Sequence, residues 1–341
     1  MAAGTITSKQ AADHEPRRLR DTPIVAAESV DGYGAIFNAG VVHHDGRYHL
    51  FARGIRSGYR RNTGEGARFI DYLSDVLVFT SEDGLDYRFE YVLATSSPSD
   101  VFCFEDPRVQ LVTSGTQSHW IMTYTNLPAP DSGMPWRIGA HRLSYDGIRF
   151  QLDSPTGSLL GPAGIANKDA VIFNLSDGRV AMIHRIHPDM QVAVFDSLEH
   201  LWNAGPEYWD EHVRELHDHV IISPVPGALG VGAGAPPVLT SEGFLLFFHE
   251  RNAAGTYTMN VALLDQHSGR VSALLNDAIF RPELHWELEG DVNDVVFVQG
   301  AHRRPDGQIY LTYGAADRAV GAAVVSEAEL LCELRRVKIA A

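Results

Sequence analysis

Five times along the chain a short alternating apolar run leads into a tight turn and a second apolar run, and this recurrence restricts the fold more than any other feature. The units cover residues 35–53, 104–125, 167–185, 234–250 and 291–314. Their turns include Asp45-Gly46, Asp177-Gly178, Glu242-Gly243 and Asp306-Gly307. Each unit is followed by a second, less regular pair of strands, such as 75–79 with Asp83-Gly84, or 191–195 ahead of Leu201-Trp202. Four strands per unit, repeating every ~60 to 70 residues, suit a propeller blade with added loops. A β-sandwich would also supply many short strands, but it would not set a polar residue at the same point of every repeat. The reading is therefore an all-β fold, a five-bladed β-propeller over residues 23–341, preceded by a disordered leader over 1–22.

That geometry predicts a site. The innermost strands of a propeller line its channel, and one rim collects equivalent residues from every blade. Asn38, Asp106, Asp169 and Asp294 are expected to begin inner strands, with Arg53, Arg185, Glu250 and Asp317 near the ends of the strands that follow. Residues far apart in the chain then meet in one polar funnel. Core packing does not account for such a meeting, because an unpaired buried charge is costly.

Composition narrows the ligands. With 28 basic against 43 acidic residues, the net charge of -15 disfavours nucleic acid and anionic membranes, both of which need a basic footprint. An anionic ligand would require a few local Arg or Lys residues to overcome that field. The first 21 residues contain no apolar stretch of signal-peptide type, and no window reaches the ~18 apolar residues of a membrane helix. A cytoplasmic protein is expected. Two distant cysteines, Cys103 and Cys332, make no disulfide framework. His217-x-His219 and His184-x-x-His187 lack the helical spacing of a zinc motif, and the Gly-rich stretch 227–234 lacks the Lys-Ser/Thr of a phosphate loop, so neither a metal nor an organic cofactor is expected.

The residues at the repeat starts carry a resemblance. Phe104-Glu105-Asp106-Pro107-Arg108, Asn167-Lys168-Asp169-Ala170, the 232–237 stretch GAGAPP, Glu289-Gly290-Asp291-Val292 and Tyr313-Gly314-Ala315-Ala316-Asp317 follow one another as do the signatures of glycoside hydrolase family 130. This is the family of β-mannoside phosphorylases and β-1,2-mannosidases, and the similarity runs from about residue 38 to about 330. It implies a five-bladed propeller that cleaves β-mannosides with inversion and takes a short oligosaccharide as its partner; self-association is left open. It also implies that Asp106 is the general acid, its proton reaching the leaving oxygen by way of a mannose hydroxyl. Asn38, Arg53, Asp169 and Asp317 would grip the mannose ring, and Arg108 would orient the carboxyl cluster. Lys168, Arg185 and His249 would complete the substrate contacts.

Inverting cleavage needs an acid and, opposite it, either a water-activating carboxylate or phosphate itself as nucleophile. Here the chain departs from the phosphorylase pattern. Leu229-Gly230-Val231 stands where those enzymes usually carry a Lys, and Phe248-His249-Glu250 replaces Tyr-His-Gly. A lost cation and a gained carboxylate both oppose a dianion. Hydrolysis is therefore the favoured expectation, with Glu250 as general base and Glu287 as second candidate. The alternatives are a phosphorylase using inorganic phosphate as co-substrate, with Arg185 and Arg214 available to hold it, and a propeller that binds glycan without catalysis. Trp136, after the 128–133 loop, fits either a sugar platform or a loop anchor.

Overall fold

The computed structural model describes residues 14–62, 69–97 and 101–337. Five antiparallel sheets follow one another in chain order around a central channel, each with its first strand innermost. Blade I is built from Tyr33–His44, Arg47–Arg56, Ser74–Ser81 and Arg88–Ala94. Blade II comprises Cys103–Ser114, Gln117–Leu127 and Arg137–Tyr145, with the short strands Phe150–Leu152 and Ser158–Leu160 outside. Blade III follows with Lys168–Asn174, Val180–Arg185, Met190–Phe195 and Val220–Ile222. In blade IV the inner strand is split into Gly230–Ala233 and Val238–Thr240, ahead of Gly243–Arg251, Tyr257–Leu264 and Val271–Leu274. Blade V holds Val296–Arg303, Gln308–Ala315 and Ala319–Ser326.

Five apolar clusters hold the ring together, one at each junction. Ile36, Leu50 and Tyr310 join blades I and V; Phe51, Val76 and Met122 join I and II. Ile121, Ile172 and Met182 join II and III, Val171, Ala233 and Leu246 join III and IV, and Phe247, Val296 and Leu311 join IV and V. Because neighbouring blades cover them on both faces, Tyr33–His44 and Ser74–Ser81 are buried along most of their length although they alternate poorly in sequence.

The ring is closed by the N-terminal segment, which corrects the expected leader. Its residues 1–13 lie outside the described residues, but from 14 on the chain packs against blade V. Arg17–Arg18 pairs with Val324 and Ala323 as the outermost strand. Arg18 forms a two-pronged ion pair with the fully buried Glu287, both bonds 2.7 Å, and Tyr313 donates to the same carboxylate at 2.8 Å. Glu287 is thereby fixed in the closure and is not a candidate base. No helix among the described residues is long and apolar enough to cross a membrane.

The inner strands explain the repeated polar residue. Their pairing jumps between Phe37 and Gly40, between Glu105 and Arg108, and between Lys168 and Val171, an inserted residue each time. Asn38, Asp106 and Asp169 sit in these bulges at φ 46°, 51° and 56°, a left-handed conformation that Asn and Asp tolerate better than other side chains. In blade V the equivalent jump falls at Gln299, whereas the exposed Asp294 precedes the strand and is not its inward polar residue. Two glycines make room for the site: a side chain at Gly314 would collide with Asn38, and one at Gly232 with Asp169 and His249.

Candidate active site

One end of the channel opens into a cavity of about 570 Å³ to which all five blades contribute. Asn38, Arg53, Lys168, Arg185, His249 and Asp317 line it together with Asp106, so seven of the expected residues converge. The cavity has two chemically distinct halves.

Blades I, II and V supply the acidic half. Asn38 Nδ2 donates to Asp106 Oδ1 at 2.8 Å, and Arg53 stands 3.5 Å from the same oxygen. Arg53 donates at 2.5 Å to Glu105, which also accepts from the Tyr72 hydroxyl at 3.0 Å. Burial alone would lower the Arg53 pKa, but the Glu105 and Asp106 charges outweigh it and keep the guanidinium charged. Burial and then the Glu105 carboxylate push the Tyr72 phenol well above its ordinary value, so it remains a donor. Glu105 and Tyr72 were not singled out from the sequence, although Glu105 lies within the recognised motif; the Asp106 bulge lets two consecutive side chains face one cavity.

Blades III and IV supply the cationic half, with Lys168, Arg185 and Arg251 beside the rings of His187 and His249. Beneath them Asp169 is buried with its carboxylate 3.2 Å from Arg185 Nε, 3.3 Å from Arg108 and 3.6 Å from His249 Nε2. Burial raises its pKa, yet Arg185, Lys168, His249 and Arg108 together hold it well below the carboxylate range. Asp169, expected at the ring, is not among the residues that line the cavity; it lies beneath them with its charge paired. His249 is pushed down to about 3, by burial first and then by the surrounding cations against the pull of Asp169, so its ring is neutral. Arg108, expected to orient the carboxyl cluster, does not line the cavity either. Fully buried, it donates to the carbonyls of Ala233 at 2.7 Å, Gly234 at 2.6 Å and Asp106 at 3.1 Å, joining blades II and IV below the floor.

Two further expectations are overturned. Side chains alternate along a strand, and in Gly243–Arg251 it is His249 and Arg251 that face the cavity. Glu250 therefore turns away, and its carboxylate accepts the Val225 N–H at 3.2 Å. It is not placed to activate a water in this cavity. Arg251, which sequence reasoning missed, brings a cation where the supposed adverse carboxylate was expected. Counting in steps of two from His249 would have found it. Arg214 ends the helix Pro206–Arg214, exposed and outside the cavity, while Trp136 lines it. No group of three or more His, Cys, Asp or Glu side chains among the described residues is arranged to hold a metal ion.

A closed propeller whose rim faces a clamped carboxyl pair toward a cluster of cations defines a carbohydrate-cleaving enzyme of the glycoside hydrolase type. The model of glycoside hydrolase family 130, described as β-1,4-mannooligosaccharide phosphorylase, matches residues 14–336, and the chain belongs to that family. It is 30% identical over 301 residues to the β-1,2-mannobiose phosphorylase of Thermoanaerobacter sp. (strain X514), covering 86% of this chain and 90% of that one. It is 26% identical over 321 residues to the 1,2-β-oligomannan phosphorylase of the same organism, covering 91% and 96%. In fold it resembles the β-1,2-mannobiose phosphorylase from Listeria innocua, with a TM-score of 0.71 at 20% identity, covering 94% of this chain and 99% of that one.

Proposed function

We propose that the protein is an inverting β-mannoside phosphorylase, with phosphate and not water as the nucleophile. The observation that carries this reading is the segregation of charge. Every carboxylate among the described lining residues, Glu105, Asp106 and Asp317, belongs to blades II or V, and the half facing them holds Lys168, Arg185 and Arg251 with His187. Hydrolysis with inversion needs a carboxylate opposite the acid, and none of the described lining residues supplies one there. Three cations lining one side of a cavity in a molecule of net charge -15 instead suit a dianion held close to the reacting carbon. The sequence relatives named as phosphorylases support the same reading.

The mechanism follows from the two halves. The mannose ring sits between them, held by Asn38, Arg53 and Asp317. A phosphate oxygen positioned by Lys168, Arg185 and Arg251 attacks the anomeric carbon as its bond to the leaving oxygen breaks. Asp106 gives its proton to that oxygen, through a mannose hydroxyl as the family resemblance implies, and the products are α-mannose 1-phosphate and the released alcohol. His249, neutral, accepts or donates one hydrogen bond without adding charge. An enzyme of this kind acts on short oligosaccharides, in keeping with a cytoplasmic location. The test is to digest β-1,2-mannobiose with and without inorganic phosphate and resolve the products. Mannose 1-phosphate formed only with phosphate supports the reading; free mannose released at the same rate in both reactions overturns it.

A further inference from the structure

The leaving-group side of the cavity carries an apolar lip that neither the family match nor the relatives account for. Asp106 belongs to blade II, and a leaving oxygen protonated by it departs over that blade's rim. The rim there is Leu127, which pairs with Cys103 three residues before Asp106, and Trp136. Across the opening, Leu229 lines the same cavity. Ten large apolar side chains are exposed among the described residues. Four of them, Met134, Trp136, Val225 and Leu229, fall on the loops 128–136 and 223–229 that border this opening, which is clustering and not scatter.

The lip is preformed. Leu229 N donates to the Arg251 carbonyl at 2.7 Å, Ala228 N to the Val225 carbonyl at 2.9 Å, and Val225 N to Glu250 at 3.2 Å. On the other side Asn167 N donates to the Trp136 carbonyl at 3.1 Å, which fixes the backbone and leaves the indole to the cavity. Glu250 is thus a positioning residue for the loop that presents Leu229. Among the polar lining groups, Asn38, Arg53, Tyr72 and Glu105 contact one another or Asp106, and Arg185 and His249 contact Asp169. At the lip itself, Leu127, Trp136 and Leu229 offer a leaving group an apolar surface of three large side chains.

We infer that this enzyme takes β-mannosides with an apolar or amphipathic leaving group, the hydrophobic portion lying against Leu127, Trp136 and Leu229. The inference rests on the phosphorylase reading for the direction of the leaving group, but its test does not. Binding of methyl and hexyl β-mannoside to the whole protein is measured by calorimetry, beside turnover of both with and without phosphate. The hexyl compound is expected to bind roughly 10- to 100-fold tighter, and Trp136→Ala and Leu229→Ser are each expected to remove most of that ratio. Glu250→Ala should shrink the ratio and Glu250→Gln restore it, because the amide oxygen still accepts the Val225 N–H. Equal affinities for the two compounds in the wild-type protein, or a ratio that both lip variants leave intact, would overturn the inference. Hexyl mannoside hydrolysed without phosphate at the same preference would support the lip while sinking the phosphorylase reading.

Discussion

The acidic and cationic halves of the cavity are built by the same repeat but anchored in opposite ways. On the acidic side the charged groups pair with one another at the surface of the cavity, as in the Arg53 contacts with Glu105 and Asp106. On the cationic side the counter-charge is buried below, where Asp169 neutralises part of the field of Arg185 and Arg108, and no carboxylate of blades III or IV is among the described lining residues. The first arrangement holds the Asp106 carboxylate between Asn38 and Arg53; the second leaves positive charge facing the cavity. A buried anion under surface cations aligns them while neutralising only part of their field toward the cavity.

The sharpest way to break this contrast is to disable the acid alone. Asp106→Asn is expected to lower turnover by ~10² to 10⁴-fold while leaving phosphate binding and the melting temperature close to wild type; wild-type rates in steady-state assays would remove Asp106 from its role. Next in size is the loss of one cation. Lys168→Met or Arg251→Met should raise the KM for phosphate by roughly 10- to 100-fold, the equivalent of one charge-assisted hydrogen bond, with less change in the KM for mannoside. A matching rise in both KM values would mean that the two halves do not divide the ligands.

Acid should loosen the cationic half first. His249 is held neutral down to about 3, and burial also holds His184, behind the blade III wall, well below its ordinary value. An unfolded chain protonates both rings below about pH 6.5 whereas the folded one does not. The stability they allow is therefore complete above that pH and is lost as pH falls from there toward 3, by at most ~1.4 kcal/mol per ring per pH unit. Hydrogen exchange at pH 5.5 against 7.5 should show blades III and IV losing protection before blades I and II; uniform loss would contradict it. Smallest of all is Glu250→Gln, expected to stay within about twofold of wild type in turnover of mannobiose, whereas a general base would cost ~10²-fold or more.

The same contrast separates what the sequence made legible from what it hid. The fold and the acidic half were readable because Asp106 and Asn38 occupy backbone positions that recur and that only a few residue types accept. The cationic half depends on which face of a strand a side chain takes. Glu250 and Arg251 are neighbours in sequence, and only the register of Gly243–Arg251 decides which of them meets the cavity. Burial depth was hidden for a similar reason: Asp169 and Arg108 carry the charges of binding residues but lie under the floor because Gly232 lets the inner strand of blade IV approach them. Arg17–Arg18 closing the fifth sheet depends on a pairing between the two ends of the chain that no local pattern announces.

The central claim is that phosphate occupies the cationic half, across the cavity from Asp106, and crystals soaked in phosphate with mannose test it most directly. Tetrahedral density is expected within hydrogen-bond reach of Lys168, Arg185 and Arg251, on the side of the ring away from Asp106. A cavity that binds mannose with only water between those cations and the anomeric carbon, at phosphate concentrations that saturate turnover, would contradict it.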